Sequence, residues 1–178
     1  MTQSITVTPK TQMGDILRAY PAAQRALFQK YHIGGCSSCG FSETDALQEV
    51  CSSHNITNVQ EVIDVIQQAQ EMEKKIQISA KETAQILKTH GSAKLLDVRG
   101  KDEWELAHID GAMLVTEQSI DEIMSWPKET PLLVHCHHGM RSLDASAYLL
   151  DHGFTNVKSI TGGIDAWSLE VDPKVPRY

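Results

Sequence analysis

Between Thr11 and Gln77 the apolar positions recur at the three- and four-residue spacing of helices that bury one face. Ile16, Leu17, Ala19 and Tyr20 form the first such face. Pro21 suits the opening turn of a second helix, which Ala22 to Phe28 carry toward Tyr31 until Gly34 and Gly35 stop it. Ser42, with Asp45 three residues on, predicts an N-cap for a third helix striped by Ala46, Leu47 and Val50 and ending near His54 and Asn55. Thr57 to Gln60 reads as a capping box for a longer helix on Val62, Ile63, Ile66 and Ala69. The charged run Glu71 to Lys75 closes this bundle. A second capping box, Ser79 to Glu82, opens a new element, so the domain boundary is placed there, with residues 1–77 before it and 78–178 after it.

Past the boundary the period changes. Lys94 to Val98, Leu132 to Val134 and Val157 to Ile160 are short apolar runs of strand type. Between them lie a short helix capped by Ser119 to Glu122 and ended by Pro127, and a helix from Arg141 to Asp151 closed by Gly153. Strands alternating with helices predict an α/β layer with a mostly parallel central sheet, preceded by the small all-α bundle. Sites in such sheets lie beyond the carboxyl ends of the strands, where Asp97 and Cys136 both fall.

Composition narrows the partners. The chain of 178 residues has a formal net charge of −7 and no block of Lys or Arg, which argues against nucleic acid or an anionic membrane surface as its partner. No stretch approaches transmembrane length, and the start lacks the basic end and apolar run of a secretory signal, so a cytoplasmic protein is expected. Four cysteines, two of them in a close Cys36/Cys39 pair, fit reactive or ligating thiols in a reducing compartment better than a disulfide framework.

Cys136 carries the chemistry. The apolar run Pro131 to His135 delivers it to a turn, His137-His138-Gly139-Met140-Arg141-Ser142, that leads into a helix. Backbone N–H groups of such a turn and the helix dipole favour an anion, a setting that promotes the thiolate. Arg141 adds a permanent positive charge and a planar donor fork for an anionic substrate.

These residues, with Leu95 to Arg99, Glu103-Trp104, His108 to Ala112, Gly153-Phe154, Asn156-Val157 and Gly162 to Trp167 in matching order, make the segment from about Ser79 to Tyr178 resemble a single-domain rhodanese, a sulfurtransferase. The resemblance implies a persulfide at Cys136, formed from thiosulfate or a similar small-molecule donor and passed to cyanide or a thiol acceptor, with no cofactor and no metal. It implies substrate contacts from His137, His138, Gly139, Met140, Arg141 and Ser142. Four residues separate Cys136 from Arg141, whereas the similar Cys-dependent phosphatases carry five, so this loop is sized for sulfur. His137 and His138 either assist anion binding and acceptor deprotonation or contribute only backbone N–H groups. Asp97 and Arg99 are read as structural support for the loop. The proline-spaced tail from Val171 to Tyr178 resembles that of some rhodanese modules and is expected to cover an edge or reach toward the site.

Residues from about Thr6 to Glu73 look like a small helical domain of uncharacterised type, often cysteine-bearing and found fused to redox or sulfur proteins. Three readings stand for its thiols. Cys36 and Cys39 at a helix start, with Cys51, exchange disulfides or persulfides with Cys136; or Cys36, Cys39, Cys51 and His54 form a Cys3His metal site; or the pair has no transfer role. The leading function is a thiosulfate sulfurtransferase. The alternative is a sulfur relay that takes persulfide sulfur from another sulfur-carrier protein.

Overall fold

The computed structural model of the chain describes residues 5–34, 40–89 and 91–178. Packing divides it between Lys75 and Ile76 into two compact units. The division precedes Gln77 because Gln77 and Ile78 pair with a strand of the second unit.

The first unit contains α1 (Met13–Ala19), α2 (Ala23–Tyr31), α3 (Leu47–Ser53) and most of α4 (Val59–Ile76). Its core joins Ile16, Leu27, Leu47, Val50, Val62, Ile63 and Ile66, which belong to the helical stretches legible in the sequence, with Met13 and Ile33, which those stretches did not include. The caps differ from expectation. Asp45 Oδ2 accepts the Ser42 N–H at 2.7 Å and the Asp45 N–H returns to the Ser42 carbonyl, so these residues close a turn instead of capping a helix. The carbonyls of Glu43 and Asp45 then accept the Gly14 and Met13 N–H groups at 2.8 and 2.9 Å, satisfying donors that α1, which lacks a side-chain cap, would leave open. The third helix begins only at Leu47, where Glu49 accepts the Ala46 N–H. Asn58, not Thr57, caps α4, accepting the Glu61 N–H at 3.2 Å. His32 ends α2 in the left-handed conformation ahead of Gly34.

The second unit is a five-stranded parallel sheet in the order β1-β5-β4-β2-β3. Its strands are β1 (Gln77–Ile78), β2 (Lys94–Asp97), β3 (Met113–Leu114), β4 (Leu132–His135) and β5 (Val157–Ile160). The connecting helices are α5 (Ala80–Thr89), α6 (Lys101–Leu106), α7 (Glu117–Ser125), α8 (Met140–Asp151) and α9 (Gly163–Glu170). Strand alternation sorts the core into two layers. Leu95, Leu133 and Ile160 point to one face and pack with Ala80, Ile164 and Trp167, whereas Leu96, Leu132, Val134 and Val157 point to the other and pack with Ile123, Leu149 and Phe154. Both faces are therefore covered, as an all-parallel sheet requires.

The expected box at Ser79 and Glu82 forms, with each residue accepting the other's backbone N–H. The one expected at Ser119 and Glu122 does not. Thr116 and Ser119 cap α7 reciprocally, so the helix starts at Glu117. Strands β1 and β3, at the sheet edges with two residues each, are too short to show any alternation in sequence.

Candidate active site

The register of β2 and β4 sets the site. Asp97 pairs with His135 across the ladder, so both strands reach their carboxyl ends together, and both side chains point to the face holding Leu95 and Leu133. One residue beyond β4, Cys136 is buried, 1% exposed. Its Sγ receives the Gly139 N–H at 3.2 Å and lies 3.7 Å from the Ser142 Oγ. Gly139 makes this possible with φ of 95°, a left-handed conformation that serves as N-cap to α8. Ser142, wholly buried, donates to the Gly139 carbonyl at 3.1 Å and accepts from Ser159 on β5 at 2.8 Å.

A second turn clamps the loop from outside. The Ile164 and Asp165 N–H groups at the start of α9 donate to the Cys136 and His137 carbonyls at 2.9 and 3.2 Å. Gly163 approaches so closely that a Cβ there would stand 2.2 Å from the Cys136 carbonyl oxygen. The Gly162-Gly163 pair of the sequence motif thus holds the thiol-bearing loop in shape.

Arg141 is half exposed and already engaged. Its Nη1 and Nη2 donate to the Glu103 carboxylate at 2.6 and 2.7 Å. Those bonds hold the Glu103 carboxyl down to about 2. Glu103 also accepts the Gly100 N–H at the start of α6 and the Tyr178 hydroxyl at 3.1 Å. Asp97 and Arg99 form a wholly buried pair joined by Nε and Nη2, and Arg99 continues to the Ala107 carbonyl at 2.7 Å and to the Tyr178 hydroxyl at 2.5 Å. The pair ties the end of β2 to the C-terminal end of α6 and to the tail.

The tail reaches the site. The Tyr178 ring stacks on His137 with centroids 4.3 Å apart, and His137 stacks on His138 at 3.9 Å. Burial and then the neighbouring His138 lower the His137 pKa, which favours its neutral form. Met140 is 59% exposed beside the loop.

Sequence reasoning missed His135, Glu103 and Ser159 as site residues, and it expected the tail to cover an edge or reach toward the site without singling out Tyr178. His135 is wholly buried with neither ring nitrogen hydrogen-bonded, 3.6 Å from Asp97 Oδ2, and burial pushes its pKa down to about 4. It was hidden inside an apolar strand run. Glu103 and Tyr178 lie 38 and 37 residues from Arg141, and no local pattern links such separations.

The N-terminal thiols do not reach a description together. Cys36 and Cys39 lie outside the described residues. Cys51 is buried in the bundle core on α3, and burial raises its thiol pKa, so it sits as a small apolar side chain. The His54 Nδ1 lies 2.9 Å from the Val50 carbonyl. Among the described residues no three His, Cys, Asp or Glu side chains cluster as a metal site, and no helix is long and apolar enough to cross a membrane.

Residues 79–170 match the rhodanese-like domain family. The thiosulfate sulfurtransferase GlpE of Vibrio cholerae is 38% identical over 85 residues, covering 47% of this chain and 80% of that protein. The adenylyltransferase and sulfurtransferase UBA4 of Meyerozyma guilliermondii is 39% identical over 93 residues, covering 47% of this chain but 22% of that protein. The reduced CoADR-RHD structure of Bacillus anthracis superposes with a TM-score of 0.51 at 20% identity, over 67% of this chain and 21% of that one, a likeness of fold. The Cys136 loop, the parallel sheet that carries it and the extent of these matches agree: the chain belongs to the rhodanese-like domain family of sulfurtransferases, with a helical unit ahead of the domain.

Proposed function

We propose that the protein moves sulfane sulfur from thiosulfate or a similar donor, through a persulfide on Cys136, to cyanide or a thiol. The observation that carries this is the Cys136 Sγ held at a strand end by the Gly139 N–H, at the mouth of α8. A thiolate there attacks the outer sulfur of thiosulfate; the sulfur–sulfur bond breaks and sulfite departs with its electron pair. The resulting Cys136 persulfide presents a terminal sulfur to the turn's N–H groups and to Arg141. An acceptor thiolate or cyanide then attacks that terminal sulfur and restores the Cys136 thiolate. Ser142, bonded to Ser159, and the Gly163 turn fix the loop so that no reorganisation is needed as charge moves along the two sulfurs.

Cys136→Ser should abolish sulfur transfer from thiosulfate while leaving the folded-state spectrum and melting intact. Mass spectrometry of the wild-type protein after thiosulfate treatment should place one added sulfur on the Cys136 peptide. Undiminished transfer by the variant would refute the assignment.

A second reading, in which the sulfur arrives as a persulfide on another protein, draws support from the relatives that join an adenylyltransferase to a sulfurtransferase in one chain. Faster transfer from a protein persulfide than from thiosulfate, at matched donor concentration, would favour it.

A further inference from the structure

The arginines around the Cys136 loop are matched one to one by carboxylates. Arg141 is forked onto Glu103, Arg99 onto Asp97, and Arg177 onto Asp165. A small dianion approaching the loop meets neutral pairs in place of three bare cations, and His137, biased toward its neutral form, adds no charge. Glu103 is the central member. Its carboxylate receives both terminal nitrogens of Arg141, the Gly100 N–H and the Tyr178 hydroxyl, so it is fixed from three separate segments of the chain and occupies the donor fork that an anionic substrate would use.

We propose that Glu103 is the specificity-determining residue of this site: as the resident occupant of Arg141 it weakens the binding of small dianionic donors, thiosulfate among them, relative to donors whose sulfane sulfur does not depend on that guanidinium, such as a thiol persulfide. The inference rests on the reading of Arg141 as the anion-binding cation of the loop. Thiosulfate must displace the Glu103 carboxylate before it can be gripped. A persulfide, R–S–SH, needs only to present its outer sulfur to the Cys136 thiolate; the sulfur–sulfur bond breaks, R–S⁻ leaves, and the proton stays on the sulfur transferred to Cys136. Tyr178 strengthens the selection by holding Glu103 Oε1 from the tail while its ring stacks on His137.

The test is the affinity of thiosulfate for the full chain, measured by calorimetry in the Cys136→Ser background so that no sulfur is consumed. Glu103→Gln keeps an oxygen for the Gly100 N–H and removes the charge, and it should tighten thiosulfate binding by about fivefold or more. Tyr178→Phe, which removes only the hydroxyl and serves also if the first variant fails to fold, should tighten it by about twofold. An unchanged dissociation constant in both variants overturns the proposal, and so does the absence of thiosulfate binding in all three proteins. Neither result bears on sulfur transfer itself, which is read separately from Cys136-dependent turnover by the wild-type protein.

Discussion

His135 shows how a residue without an evident task shapes the behaviour of the molecule. It lies next to Cys136 in sequence but on the face shared with Asp97, wholly buried, and burial holds its pKa at about 4. In the unfolded chain its pKa returns to about 6.5. Between these values the unfolded state binds more protons, so stability is complete above about pH 6.5 and is lost as pH falls toward 4, by at most about 3 kcal/mol. Melting temperatures recorded at about pH 7.5, 5.5 and 4.5 should fall through that window, and His135→Gln should flatten the slope whatever its own stability. An equal slope in the variant would assign the acid sensitivity elsewhere. Glu103, with its carboxyl held at about 2 by Arg141, contributes in the same direction but only at lower pH, below the ordinary carboxylate range.

At the scale of elements, the loop that bears Cys136 takes its shape from the turn ahead of α9. Gly163, with φ of 57°, places its Cα where a side chain would drive into the Cys136 and His137 carbonyls, 2.2 and 2.5 Å from a Cβ. Gly163→Ala is therefore expected to cost at least about 2 kcal/mol from backbone strain and overlap together. Because the displaced atoms belong to the Cys136 loop, sulfur transfer should fall with it even at temperatures where the variant is folded. A thermal melt and a rate measured on the same sample check both parts, and full activity in a destabilised variant would separate the turn from the site. The caps teach a related lesson. Ser42 and Ser119 were sound candidates by type, yet the structure uses Asp45 to close a turn and Thr116 to start α7, because the cap is fixed by where the preceding backbone arrives.

At the scale of the molecule, the chain holds two compact units, and α4 runs directly into β1 without an intervening loop. The strand is short, but Gln77 and Ile78 pair with Ser159 and Ile160 of β5, the strand whose Ser159 supports Ser142. A fragment of residues 76–178 should thus melt higher than one of residues 79–178, which begins where the family match begins and lacks β1. A difference of several degrees is the expected size for the loss of about 1 kcal/mol in a domain of this length. Equal melting of the two fragments would show that β1 is dispensable to the sheet.

The sequence by itself determined the helical bundle, the three central strands and the thiol turn, because each is written in a short window: a hydrophobic period or a strand-to-helix junction. It did not determine the edge strands, two residues long, nor the partners of Arg141. Only the tertiary structure decided that Glu103, nearly forty residues away, receives that guanidinium while Tyr178 bonds to Glu103 from the tail, that the parallel register sets His135 beside Asp97, and that Cys51 lies in a core. Those outcomes depend on which chain segments meet in space, and contacts between distant positions leave no periodicity for a single sequence to display.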